Sequence, residues 1–260
     1  MAFVCNEIPF VFVHVPKIAG TFLRKSFFPQ CGLTGEEYGH WNNFSEFPIA
    51  ASKEEISTHS GISYLPQKYK NLPVLVILRN PWEWYVSHYN YLYLCHDKHI
   101  WDTVAKKIPG PLPEYDNKLS FRESMHRLIG LEFQKNNLDV EFLHIFKEKR
   151  KHFKEMNALD IGWYSWWYVE LLSELGFDNT SKIEDVFNND KLYFVDIKNL
   201  KDGLYKFFLT LGYELDVNSI NWTKINTSKQ MDYRTQYDDD LAQLIRDRDQ
   251  YIIEKFNFNF

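Results

Sequence analysis

Cysteine is scarce in this sequence. Cys5, Cys31 and Cys95 are the only three in 260 residues. They are too few and too scattered for a disulfide framework, so the chain reads as built for a reducing compartment and is expected in the cytoplasm. Proline and glycine number 10 and 11, which excludes a collagen-like or low-complexity chain. Long hydrophobic runs are missing too. The stretches Pro9–Val13 and Leu72–Leu78 fall far short of the ~20 apolar residues of a transmembrane helix, so no membrane insertion is expected. No Lys or Arg precedes Lys17, and Glu7 interrupts the first apolar stretch, the wrong pattern for a secretory signal. Positive charge is not in excess either. Thirty Lys and Arg against thirty-five Asp and Glu leave a net charge of −5, so no chain-wide field recruits nucleic acid or anionic membrane, and any anion site must be local.

What is abundant is aromatic surface: 21 Phe, 16 Tyr and 8 Trp make 17% of the chain, within 45% hydrophobic and 25% charged residues. That composition supplies a sizeable core and excludes intrinsic disorder. Pro9–Val15 reads as a buried strand, Thr21–Phe28 as a short helix closed by Pro29, Ile56–His59 as a short strand and Leu72–Leu78 as a second buried strand. Pro81 opens a helix running to about Cys95, and the proline-rich segment Lys106–Lys118 reads as a loop or lid. Helical spacing follows at Leu119–Gln134, Asp139–Lys154 and Tyr164–Leu175. A strand at Lys191–Val195, a helix at Lys198–Leu211 and a final helix at Tyr237–Phe256 complete the pattern. Strands alternating with helices, without repeats or linkers, predict a single α/β domain over 1–260 with a central parallel sheet flanked by helices.

Two segments carry chemistry. The loop Lys17-Ile18-Ala19-Gly20-Thr21 joins a buried strand to a helix, where backbone N–H groups and the helix start face an anion. It is not the nucleotide-kinase P-loop, because Lys17 precedes Gly20 instead of following the last glycine. The second segment, Val76-Ile77-Leu78-Arg79-Asn80-Pro81 through Ser87, sets an arginine at the carboxyl end of a strand and a serine on the next helix. A guanidinium fork and a hydroxyl suit phosphate oxygens.

Together these segments resemble the sulfotransferases that use 3′-phosphoadenosine-5′-phosphosulfate (PAPS). His14-Val15-Pro16-Lys17-Ile18-Ala19-Gly20-Thr21-Phe22-Leu23 is similar to that family's 5′-phosphosulfate loop, and Arg79 through Ser87 to its 3′-phosphate motif. Thr58-His59 and Leu65-Pro66 between them, and Lys191–Gly212 later, resemble further family segments. The resemblance is strong over 9–95 and closer to the carbohydrate-sulfating branch. It implies a P-loop-like fold with PAPS as cofactor, a cofactor-binding core at 9–95 and about 190–235, and an acceptor and lid region at about 100–175. It also implies that Lys17, Ala19, Gly20, Thr21 and Phe22 hold the 5′ side, with Phe22 available to stack on adenine, and that Arg79 and Ser87 hold the 3′-phosphate. The cytosolic branch's Arg-Lys-Gly triplet is absent; Lys229 and Arg234 are its nearest substitutes.

Sulfuryl transfer requires a cation on the leaving oxygen, assigned to Lys17, and a base on the acceptor hydroxyl, assigned to His59. His40 and the carboxylates Glu36, Glu37, Glu54 and Glu55 are its alternatives. The expected partner is a small-molecule or carbohydrate hydroxyl acceptor, with no metal and no nucleic acid. His14 reads as a strand histidine satisfied by backbone, Trp163–Tyr168 as core aromatics, Cys95 and His99 as too few ligands for zinc, and Asp238–Asp240 as a helix start. Two rival readings stand beside the enzyme: a P-loop-like kinase of nucleotides or small molecules, and a non-catalytic binding module.

Overall fold

A computed structural model describes residues 2–38, 61–62, 65–90, 120–122, 125, 161–172, 183–216, 219–222 and 232–260. Its sheet has five strands: β1 (Ala2–Cys5), β2 (Val11–Val13), β3 (Gly35–Tyr38), β4 (Val74–Leu78) and β5 (Leu192–Asp196). Their order is β3-β1-β2-β4-β5. β2, β4 and β5 run parallel, with Val11 opposite Val74 and Val74 opposite Leu192. β1 lies antiparallel to both β2 and β3.

The protein is therefore α/β as expected, but its sheet is mixed and not wholly parallel. The reason is connection length. Only a short turn, closed by Cys5 N–H to Phe10 O at 3.1 Å, separates β1 from β2, and a connection that short can only return the chain antiparallel. β3 was illegible because Gly35-Glu36-Glu37-Tyr38 has no apolar alternation. Charged side chains suit an edge strand, where they discourage pairing with other chains.

The described residues fall into two compact units. The first, Met1–Asn42, Ala51–Arg79 and Trp167–Thr227, contains the sheet. Helix α1 covers it as three continuous pieces, an α turn Gly20–Phe22, a π segment Leu23–Phe27 and a resumed α turn Phe28–Gln30. Pro29 does not close this helix as predicted. It falls in the first turn of the resumed α segment, where a missing N–H is harmless. The helix ends instead at Gly32 (φ 69°), with Leu33 N–H on Phe28 O at 2.9 Å and Gly32 N–H on Pro29 O at 3.0 Å. The same cap, at Gly212, ends the helix Leu200–Thr210, so the Leu211-Gly212 pair has a purely structural reason. Phe28 is the centre of the aromatic core, with ring centroids 4.9 Å from Phe3, 5.8 Å from Phe10 and 5.7 Å from Phe12.

The second unit comprises Asn43–Ala50, Asn80–Trp166 and Ser228–Phe260. Its helix α2 (Pro81–Tyr89) starts on the buried Asn80, whose Oδ1 accepts from the N–H groups of Trp82 and Glu83 and whose Nδ2 donates to Asn259 O at 2.7 Å. Helix α3 (Trp163–Leu172), whose residues from Trp167 on belong to the first unit, carries the expected core aromatics: Trp163, Tyr164, Trp166 and Tyr168 are all buried. The predicted final helix is two, α4 (Asp239–Arg248), capped by Asp238 as expected, and α5 (Gln250–Lys255). The break falls at Asp249, whose carboxylate is drawn away from the helix. Its Oδ1 accepts from Ser165 N–H at 2.9 Å and Ser165 Oγ at 2.6 Å, and its Oδ2 accepts from Tyr85 Oη at 2.8 Å. The helices predicted over Asp139–Lys154 and most of Leu119–Gln134, and the strand Ile56–His59, lie outside the described residues. No helix among the described residues is long and apolar enough to cross a membrane.

Candidate functional site

The parallel pairing of β2 with β4, Val13 opposite Val76, brings the ends of these two strands side by side. Beyond Val13 the chain passes His14 and the buried Val15 into the loop. Lys17 and Ala19 both adopt left-handed backbone, at φ 65° and 64°. For residues with a Cβ this costs on the order of 1–2 kcal/mol each, and such strain persists only where the surroundings impose it. One source of that constraint is Ile18, fully buried between the two.

A second constraint comes from Arg79, one residue past β4. Its Nη1 donates to the Lys17 carbonyl at 3.1 Å. The two segments singled out in the sequence, 62 positions apart, thus meet directly. Ala19 is the N-cap of α1 and supplies no side-chain cap; the first intrahelical bond is Leu23 N–H to Ala19 O at 3.0 Å. A helix start without a side-chain acceptor, reached through left-handed turns, has the geometry of an anion-binding nest.

His14 corrects the sequence reading. It lies one residue past β2, and its Nδ1 is buried with no hydrogen-bond partner, so backbone does not satisfy the ring. Burial pushes its pKa down to about 3, with the nearby Arg24 and Lys17 cations adding to the effect, so the imidazole is neutral at ordinary pH. Arg24, on α1, donates through Nε to Glu37 Oε1 at 2.7 Å, with Nη2 2.6 Å from the same oxygen. Glu37 is thereby committed to an ion pair, which argues against it as a general base. Glu36 accepts from the Tyr38 hydroxyl and holds that phenol above its ordinary pKa.

Of the remaining predicted residues, Gly20 opens α1 and Thr21 is half-buried beside it. Phe22 is only 7% exposed, its ring 6.4 Å from Phe27 and 5.7 Å from Trp222. The ring belongs to the aromatic core and does not present a face to adenine. Ser87 is half-buried on α2, in the second unit. Arg234 is exposed on the turn Tyr233–Gln236, its guanidinium 5.4 Å from the Tyr233 ring centroid. His40, Glu54, Glu55, His59, Cys95, His99 and Lys229 lie outside the described residues.

Sequence reasoning missed Arg24 and Asp249. Arg24 carried a weak signal, a cation one turn beyond Gly20 in a helix that buries Phe22, Leu23, Phe27 and Phe28; Asp249, inside an amphipathic run, carried none. Comparison with family models, curated proteins and solved structures returned no match to this chain.

Proposed function

We propose that this protein is a sulfotransferase of the P-loop-like fold, moving a sulfuryl group from PAPS to a hydroxyl acceptor of small-molecule or carbohydrate type. The observation that carries the reading is the hydrogen bond from Arg79 to the Lys17 carbonyl, because it joins the two segments on which the family resemblance rests. The loop suits the anionic end of PAPS, since its left-handed turns lead into a helix start that lacks a side-chain cap. PAPS supplies the activated sulfuryl group; the protein's part is to hold, orient and move a proton.

In this reading Lys17 would hold the sulfuryl donor and supply the cation that stabilises charge developing on the leaving phosphate. Ala19, Gly20, Thr21 and Phe22 offer backbone N–H groups, Arg79 offers its guanidinium to the 3′-phosphate, and the family resemblance assigns Ser87 to that phosphate as well. Lys229 and Arg234 complete the cofactor contacts. The acceptor proton goes to His59, chosen because a near-neutral imidazole matches the task.

Calorimetric titration with adenosine 3′,5′-bisphosphate, alongside adenosine 5′-monophosphate and magnesium ATP, tests the proposal. The bisphosphate is expected to bind at least about tenfold more tightly than the monophosphate, the worth of one good charge-assisted contact. Preference for ATP overturns the reading in favour of a kinase. Bisphosphate binding without turnover on any hydroxyl acceptor favours the non-catalytic module. His59→Ala is expected to abolish transfer with the fold intact; transfer at the unaltered rate moves the base to His40 or a carboxylate.

A further inference from the structure

The loop is held at three points, and two have been described: Ile18 in the core and Arg79 on the Lys17 carbonyl. The third is His14. A Cβ built on Gly20 would stand 1.9 Å from His14 Cδ2 and 2.1 Å from Nε2, so α1 begins in van der Waals contact with the imidazole. Phe12 also lies beside that ring, with centroids 6.1 Å apart and planes 21° from parallel. Position 14 therefore requires something flat, and position 20 requires the absence of a side chain. Neither requirement follows from β2 or α1 taken separately.

We propose that His14 is a positioning residue of the anion loop, its flat ring forming the seat on which Gly20 rests and thereby fixing the left-handed turns at Lys17 and Ala19. The inference rests on the sulfotransferase reading for its ligand and not for its geometry. A ring in this place has to be uncharged, because Lys17 and Arg24 already lie beside it and a third cation would repel both. Histidine here thus acts by its shape. With the seat removed, the strained residues lose one of the contacts that hold them, and the loop relaxes toward ordinary backbone.

The test is a double-variant cycle of His14→Ala, Gly20→Ala and the two combined. It is read by calorimetry with adenosine 3′,5′-bisphosphate and by the backbone amide resonances of Lys17 and Ala19. Gly20→Ala is expected to weaken binding by on the order of a hundredfold, the usual consequence of misplacing a binding group by about 1 Å. Adding His14→Ala should recover a substantial part of that loss, because the clash needs both partners. The Lys17 and Ala19 amides should shift in each single variant and return toward their original positions in the double. A ring that merely stabilises the core lowers the melting temperature of His14→Ala and leaves the Lys17 and Ala19 amides and the bisphosphate affinity of that variant unchanged. Additive losses in the double variant, or unmoved amides in His14→Ala, overturn the proposal. If the unmodified protein fails to bind the bisphosphate, the sulfotransferase reading falls alone, and the amide shifts still decide the role of His14.

Discussion

The two units each contain one polar constellation packed against a glycine, and the two are opposites. In the second unit the Asp249 carboxylate is 1% exposed and accepts three hydrogen bonds from Ser165 and Tyr85. Tyr85 Oη in turn accepts from Tyr164 N–H at 3.1 Å. A Cβ on Gly162 would come within 2.4 Å of Asp249 Oδ2. That network is closed: its donors and acceptors answer one another, and it ties the start of α3 to α2 and to the junction of α4 with α5. In the first unit the His14–Gly20 contact sits under a loop of strained backbone whose helix start has no side-chain cap. The Asp249 network is a polar cluster satisfied from within, whereas the constellation at His14 and Gly20 is built on backbone in the left-handed region.

The largest effect is expected from breaking the closed network. Asp249→Ala leaves the Ser165 and Tyr85 donors buried without their acceptor and should cost on the order of 3–5 kcal/mol. Urea denaturation measures this, and bisphosphate affinity of the folded fraction should stay unchanged. Loss of affinity at full stability would mean that Asp249 belongs to the site.

A comparable change is expected with pH. Burial raises the Asp249 pKa to about 6 from its ordinary 3.8, outweighing the Ser165 and Tyr85 hydrogen bonds that lower it. The folded state therefore binds this proton more tightly than the unfolded one. The contribution is complete below about pH 4, declines as pH rises to about 6 and is flat above, an interval worth up to about 3 kcal/mol. The difference in urea midpoint between the unmodified protein and Asp249→Asn should change across that window and nowhere else. A constant difference would place the titration elsewhere.

In the open site the comparison predicts the reverse coupling. Arg79→Ala removes the tie to the Lys17 carbonyl and should weaken bisphosphate binding by about 2–3 kcal/mol, with a smaller loss of stability. Lys17→Gly relieves a left-handed residue of its Cβ and should raise stability by about 1 kcal/mol while abolishing transfer. Ala19→Gly should stabilise by a similar amount or less and retain binding; thermal melts with calorimetry separate the two. Should Lys17→Gly fail to stabilise, the backbone there is not strained, and the contrast between the two constellations weakens.

Legibility followed the range of the interactions involved. β2, β4 and β5 were readable because buried parallel strands are runs such as Val74-Leu75-Val76-Ile77-Leu78. α2 announced itself through Pro81 after the capping Asn80. The loop at 17–21 and Arg79 were readable as the segments that follow two buried strands, one with a lysine, a glycine and a helix start, the other with an arginine. Four other features were not: β1's antiparallel turn, β3's charged edge, the π segment that readmits Pro29, and the break at Asp249. β3 and the break at Asp249 depend on partners far away in the chain, whereas the β1 turn and the π segment are local but carry no pattern that distinguishes them.

Sequence alone determined the α/β class, the abundance of aromatic residues and the two segments on which the proposed anion site rests, because these follow from local periodicity and residue chemistry. Only the tertiary structure decided that Arg79 reaches the Lys17 carbonyl, that Phe22 turns into the core and that Glu37 is taken by Arg24. It also decided that His14 sits neutral against Gly20. Contacts of this kind are set by which strands become neighbours and by how closely a helix can approach them, and no local pattern encodes either.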